Sequence, residues 1–249
     1  MNTVKKEKTD LPTIGTRNES SLHRTLKFQY AGPGGKTEEM VGNFVADGVR
    51  KDGEYIEVQT SNFGSLCKKI KAIIQKNKKA KIRIIHPIAV NKYIEVYAPV
   101  SSKRGSAKKT AAAVPLWRRK SPKKGSLWSL FDALVQAPEL AMIPGVTIEA
   151  VLADITEIRV KDGKGSWRRK GISIKDRILS AWHENIIFAK PKDYLRFIPY
   201  KKGEEFTTTT FAARTAINTD TARMALYVLT KIGVVERIGK QGRSWVYAR

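Results

Sequence analysis

Cysteine is almost missing from this 249-residue chain: Cys67 is the single one. That excludes an internal disulfide and any cysteine-rich zinc cluster, and its place in an apolar helical pattern makes it a core residue. Long apolar runs are missing too. None approaches the roughly 18 to 20 residues that a membrane-spanning helix requires, and the N-terminal M-N-T-V-K-K-E-K-T-D has no apolar signal core. A cytoplasmic protein without a membrane partner is expected. Acidic residues are the third shortage, 23 Asp and Glu against 47 Lys and Arg, for a formal charge of +24. With 41% apolar and 28% charged residues, the balance is that of a folded globular protein.

The excess charge is concentrated. From Val58 to Phe131 the one acid is Glu95, while Lys68, Lys69, Arg118, Arg119, Lys120, Lys123 and Lys124 are among the bases there. A basic surface of this kind neutralises phosphates, so nucleic acid is the expected partner. The alternatives are a solubilising surface or a patch for anionic membranes.

Val45 to Thr60, V-A-D-G-V-R-K-D-G-E-Y-I-E-V-Q-T, holds two runs of alternating apolar and polar residues around Asp52-Gly53, the pattern of a β-hairpin. A three-residue loop with Gly53 left-handed sets Asp47 directly opposite Glu57, with Gln59 on the same face; a two-residue loop separates them. Asp47 followed by Glu57-Val58-Gln59 resembles the active-site hairpin of the PD-(D/E)XK, restriction-endonuclease-like, nuclease superfamily. The resemblance implies that both acids bind Mg²⁺, or Mn²⁺, and that the third position orients or activates water. Gln59 departs from the usual lysine there. A helix preceding the hairpin often donates a further acid in that superfamily; Glu19 matches that position, with Glu38 and Glu39 as rivals.

Residues 1–17 lack any apolar period and read as a flexible tail. A helix over Ser21 to Tyr30, capped by Asn18 or Ser20, ends at Ala31-Gly32-Pro33-Gly34-Gly35. After the hairpin, Ser61 or Asn62 caps a helix carrying Phe63, Leu66, Cys67, Ile70, Ile73 and Ile74. Two strands follow, Lys81 to Pro87 and Tyr93 to Tyr97. Helix, hairpin, helix, strand, strand is the core layout of the nuclease superfamily. His86 reads as a satisfied structural residue. Residues 101–125 form a basic linker or arm, either a phosphate contact or a disordered linker. Ser126 to Ala137 has helical spacing, and Val146 to Val160 reads as a strand. Trp167-Arg168-Arg169-Lys170 is a second basic cluster, taken as a return strand with a packed Trp or as a surface that clamps phosphate and stacks a base. E-V-Q-T, H-P-I-A, R-R-K-S-P-K-K-G and G-S-W-R-R-K-G, in that order, also make the whole chain resemble an uncharacterised bacterial family.

From Phe206 onward the chain resembles a winged helix-turn-helix. A short helix near Thr208 to Thr215 leads through Ala216-Ile217-Asn218 into a longer one from Thr219 to Lys231, stopped by Gly233. Val234 to Ile238, a tip at Gly239 to Arg243, and Trp245 to Tyr247 make the wing. In DNA-binding members the second helix enters the major groove, here with Asp220, Arg223, Met224 and Tyr227, while Lys240 and Arg243 reach phosphates. Docking to protein is the alternative use of such a module.

The expected fold class is α/β (α+β), a restriction-endonuclease-like mixed sheet flanked by helices with a C-terminal winged-helix domain. The expected divisions are a tail (1–17), a nuclease-like core (18–100), a basic arm (101–125), a connecting α/β region (126–205) and the winged helix (206–249). The implied activity is Mg²⁺-dependent hydrolysis of DNA, with Glu19, Asp47, Glu57 and Gln59 catalytic and Asp47 and Glu57 on the metal. Hard carboxylates without a Cys or His cluster favour Mg²⁺ or Mn²⁺ over zinc. Lys68, Lys69, Arg118, Arg119, Lys120, Lys123, Lys124, Arg168, Arg169, Arg223, Tyr227, Lys240 and Arg243 are the expected contacts to double-stranded DNA. The alternative is a non-catalytic DNA-binding protein or transcriptional regulator on an inactive nuclease fold. RNA binding is allowed by charge alone, and a homodimer is left open.

Overall fold

The computed structural model describes residues 19–42, 44–61, 63–99 and 115–249. The expected N-terminal tail, and residues 101–114 of the expected basic arm, fall outside them. Helix α1 (Ser21–Ala31) begins where Ser20 accepts the His23 N–H at 3.3 Å and ends at Gly32, φ 67°. Of the two caps expected, Ser20 serves. A remote carboxylate adds to it: Asp176 accepts the Ser21 N–H at 2.7 Å and the Ser21 hydroxyl at 2.5 Å. These charge-assisted bonds satisfy a free helix-end donor and fix where α1 starts.

An antiparallel meander follows, β1 (Lys36–Val41), β2 (Phe44–Val49) and β3 (Tyr55–Val58). Strand β1 was not expected, because K-T-E-E-M-V is a half-exposed edge with no apolar alternation. Between β2 and β3 the Arg50 N–H donates to Glu54 O at 2.9 Å and the Gly53 N–H to Arg50 O at 2.9 Å. Gly53 has φ 84°, so the loop is the three-residue form with a left-handed glycine.

Helix α2 (Gly64–Lys76) buries Leu66, Ile70 and Ile73 and returns the chain so that β4 (Ile82–Tyr97) runs parallel to β3. Its N-cap is Phe63 without a side-chain cap, in place of the expected Ser61 or Asn62. Asn62 lies outside the described residues. The Phe63 N–H donates instead to Ala133 O at 2.9 Å. The two strands expected at 81–97 are one, held by β6 (Val146–Val160) pairing in parallel along its length. Pro87 survives inside it for a geometric reason. Ile85 O accepts Gln59 N on the β3 edge, so Pro87, two residues on, turns its missing N–H to that edge beyond the last paired residue of β3, Val58. Farther along the same edge β5 (Trp117–Lys120), inside the expected linker, pairs with Tyr93 to Val96. Strand β7 (Ser173–Phe188) is antiparallel to β6 and completes a mixed sheet of order β1-β2-β3-β4-β6-β7, with β5 on β4. The stretch 126–205 thus shares one sheet with residues 36–97.

Leu22, Leu26 and Tyr30 of α1 pack on Ile56, Val58, Ile85 and Val151 on one face. On that face Tyr30 donates to Glu149 Oε1 at 2.6 Å, Arg83 reaches Glu149 Oε2 at 2.6 Å, and Arg83 Nε bonds both Glu54 oxygens. The other face is covered by α2, by α3 (Leu130–Leu134) and by the C-terminal unit. The helix expected over 126–137 is a 3-10 turn, Leu127–Ser129, continued by α3; it ends short of Ala137, which Pro138 forces out of helical geometry.

In the C-terminal unit β8 (Phe206–Thr207) leads to α4 (Thr208–Thr215) and α5 (Thr219–Lys231), then β9 (Glu236–Gln241) and β10 (Ser244–Ala248), with sheet order β8-β10-β9. Ala216 at φ 54° makes the turn, and Asn218 accepts the Thr221 N–H at 2.8 Å. Among the described residues, no helix is long and apolar enough to cross a membrane. The unit docks through aromatic rings: Phe211 meets Trp128 at 5.8 Å, and Trp128 meets Phe197 at 4.9 Å. Phe211→Ala is expected to destabilise the protein by roughly 3–5 kcal/mol in urea unfolding.

Candidate active site

Main-chain pairing of β2 with β3 runs through Val49–Tyr55 and Gly48–Ile56 and then stops. One step on, where Asp47 would face Glu57, a side chain replaces the backbone: Asp47 Oδ2 accepts the Val58 N–H at 2.7 Å. The two strands part at this point with their carboxylates on the same side. Glu57 is 2% exposed.

The cation beside Glu57 comes from helix α2. Lys69 Nζ lies 2.5 Å from Glu57 Oε1 and donates to Val45 O. Burial pushes the Glu57 carboxyl up to about 7; Lys69 works against the rise and the charge of Asp47 adds to it. Burial also acts to raise Asp47, but His23, the Val58 N–H and Lys69 together hold it below the ordinary carboxylate range. Two neighbouring carboxyls are thus driven apart in acidity, a condition that suits acid–base or metal chemistry.

Helix α1 supplies the third side. His23 Nε2 stands 3.2 Å from Asp47 Oδ2 and 3.7 Å from Glu19 Oε1. Lys27, 4% exposed, bridges Glu19 at 2.8 Å and Glu38 at 2.9 Å. Glu19 therefore joins the cluster through His23. Glu38 is tied to the same lysine, while Glu39 pairs with Lys36 at 3.8 Å.

Gln59 faces α2, as Glu57 does, which is the shared face expected from alternation. It lies just past the last residue of β3, and its Nε2 donates to Ser65 Oγ of α2 at 3.2 Å. Its carbonyl accepts from His86 Nδ1 at 2.7 Å. Burial lowers the His86 pKa against the pull of that carbonyl, and Phe63 meets the ring edge-on at 5.3 Å. Sequence reasoning put Lys69 among DNA contacts and left out His23. The helical register carries a signal for Lys69: it lies four residues after Ser65 on α2, and both residues reach β3.

The basic residues scatter more widely. Lys68 is exposed beside Lys69. On β5, Arg118 pairs with Glu95 at 3.1 Å and sits over Tyr93, as does Lys120, while Arg119 sits over Trp117. Lys123 and Lys124 are exposed in the loop after β5. The expected return strand at Trp167 is a 3-10 turn, Trp167–Arg169, at the tip between β6 and β7, and Trp167 is 82% exposed. It is not buried in a core, since the hairpin tip projects from the sheet. Arg168 covers its ring, and Arg169 donates to Ile172 O at 3.2 Å. On α5, Arg223 pairs with Asp220 at 3.0 Å, and Lys231 covers the ring of half-exposed Tyr227. Lys240 covers Trp245, and Arg243 is exposed in the turn between β9 and β10.

Among the described residues, no group of three or more His, Cys, Asp or Glu is arranged to hold a metal ion. The chain belongs to the family of a domain of unknown function, DUF8091, whose profile matches residues 20–189. That span runs from the cap of α1 to the end of β7. An uncharacterized protein of Treponema pallidum (strain Nichols) is 27% identical over 238 residues, covering 95% of this chain and 88% of that one. No solved structure matches.

Because the folded pKa of Glu57 stands above its ordinary 4.5, the folded protein keeps a proton there that the unfolded chain has lost. The Glu57 contribution to stability is therefore full below about pH 4.5 and declines as pH rises to about 7, by on the order of 3 kcal/mol. Urea unfolding across that range is expected to show a flatter pH dependence in Glu57→Gln than in the parent.

Proposed function

We propose that the protein is a metal-dependent DNA endonuclease of the PD-(D/E)XK type, with its site at the parting of β2 and β3. The observation that carries this is the opposition of Asp47 to buried Glu57, with Lys69 against Glu57 Oε1 at 2.5 Å. The order helix, three-stranded meander, helix and parallel strand also supports the superfamily's layout. Lys69, from the helix, takes the charge position that Gln59 leaves empty in the motif.

Two hard carboxylates, one kept partly protonated by burial, fit Mg²⁺ or Mn²⁺. Asp47 and Glu57 would hold the ion, which supplies polarisation of the scissile phosphate and a more acidic bound water. The protein's own residues do the rest. Lys69 places a positive charge where the phosphate gains negative charge. His23 and the Val58 N–H fix the Asp47 carboxylate. Glu19 steadies His23 and Lys27.

The C-terminal unit is proposed as a winged helix, with α5 as its second helix and β9–β10 as the wing, holding duplex DNA largely through phosphates. Arg168, Arg169, Arg118 and Lys120 extend the basic surface along the sheet. The second reading, a DNA-binding regulator without chemistry, is favoured by the engagement of Gln59 with Ser65.

Supercoiled plasmid with Mg²⁺ or Mn²⁺ separates the two. Nicking is expected from the parent and is expected to vanish in Asp47→Ala. Lys69→Ala is expected to slow it about 100-fold, whereas Lys78→Ala, exposed beyond the end of α2, leaves the rate within about threefold. If nothing is cut but Lys240→Ala with Arg243→Ala lowers duplex affinity, the regulator reading holds instead.

A further inference from the structure

Among the described residues, the edge of β4 between its pairing with the end of β3 at Ile85 and with the end of β5 at Tyr93 has no neighbouring strand. The loop after β5 closes part of it: the Ser121 N–H donates to Lys92 O and the Gly125 N–H to Ala89 O, each at 2.7 Å. A side chain at Gly125 would bring its Cβ to 2.8 Å from Ala89 O, so only glycine lets the loop approach. What remains open is a cavity of about 380 Å³ whose lining includes Ser61, His86, Lys92, Lys123, Ser129 and Asp132. It begins one residue beyond Gln59, at Thr60.

A second cavity, about 430 Å³, shares Lys123, Ser129 and Asp132 and continues to Lys124, Asn218 and Thr221 at the start of α5. The two spaces thus form one path from the end of the candidate catalytic strand to the helix pair of the C-terminal unit. Along it lie three lysines, Lys92, Lys123 and Lys124, and the hydroxyls of Ser61, Ser129 and Thr221. Lys92 is already paired with buried Glu157 at 2.7 Å. Lys123 and Lys124 are exposed. Asp132 is the opposing charge.

We propose that this path is a track for the phosphodiester backbone of a nucleic acid strand leading away from the Asp47–Glu57 site, with Lys123 as its central phosphate contact. The proposal rests on the nuclease reading for the site at one end. The chemistry favours a strand: two cavities that share Lys123, Ser129 and Asp132, with exposed lysines and hydroxyls, suit successive phosphates rather than one apolar ligand. The track also assigns a purpose to the loop from Ser121 to Gly125, which holds Lys123 at the junction.

The test is duplex affinity of the full chain without divalent metal, so that cutting plays no part. A fluorescein-labelled duplex is titrated at several salt concentrations. Lys123→Ala is expected to weaken binding about fivefold near 50 mM salt and to reduce the log–log salt slope by about 0.9. Asp132→Asn, which removes a repulsive charge, is expected to tighten binding about twofold. Lys78→Ala is the charge-matched control. Lys78 is exposed beyond the far end of α2, a helix roughly 20 Å long, and lines neither cavity.

Equal weakening by Lys78→Ala and Lys123→Ala, together with no gain in Asp132→Asn, would overturn the track. So would inorganic phosphate binding that depends on Lys123 while duplex affinity does not, since that marks a pocket for a small anion. Plasmid nicking is read separately. Loss of the track with nicking intact leaves the nuclease reading standing, and an intact track without nicking leaves a binding path on a protein that does not cut.

Discussion

Burying Glu57 beside Asp47 is the constraint that organises this molecule. A carboxylate at 2% exposure next to a second carboxylate is unfavourable unless it is protonated or paired. Both solutions are in place. Lys69 reaches in from α2, and burial lifts the Glu57 pKa to about 7. Each neighbouring element is fixed by this arrangement. The glycine turn at Gly53 sets the register that opposes the two acids; a slip by one residue would move every side chain of β3 to the other face. Helix α2 must dock in the register that presents Lys69. Helix α1 must start where Asp176 holds Ser21, so that His23 meets Asp47.

The hairpin was legible because its signals are local. Asp-Gly between two alternating runs specifies the turn, and the turn specifies which residues face each other. The two helices of the C-terminal unit were legible for the same reason: the turn at Ala216-Ile217-Asn218 and the stop at Gly233 mark α5 in the chain itself. What failed was decided at a distance. Strand β1 carries no apolar alternation and exists because β2 offers it an edge. The continuity of β4 through His86-Pro87 depends on β6 alongside. Trp167, read from the sequence either as packed or as a stacking surface, stands exposed at a tip with Arg168 over its ring.

The candidate site divides in the same way. Asp47 and Glu57 follow from hairpin register, whereas Lys69 and His23 enter from two helices on opposite faces of the sheet, whose docking no local pattern encodes. Gln59 lies one residue past the end of β3, yet it keeps the face that alternation gives it, toward the helix that brings Lys69 to Glu57. Its side chain turns to Ser65 and its carbonyl to His86. The charge of +24 pointed to an anionic polymer; the fold spreads that charge over β5, the β6–β7 tip, the loop after β5 and the β9–β10 turn. The loop after β5 lines both the space that begins at Thr60, beyond the end of β3, and the space that reaches α5.

The measurement that bears most directly on the Asp47–Glu57 cluster is calorimetric titration of Mn²⁺ near pH 6.5 in buffers of different ionisation enthalpy. With Glu57 titrating at about 7, a metal held by this pair must displace part of a proton. One ion bound per chain, with proton release that disappears in Glu57→Gln, is the result expected. No binding heat in any buffer, or release unchanged by Glu57→Gln, would mean that the buried carboxylate serves the scaffold and not a metal.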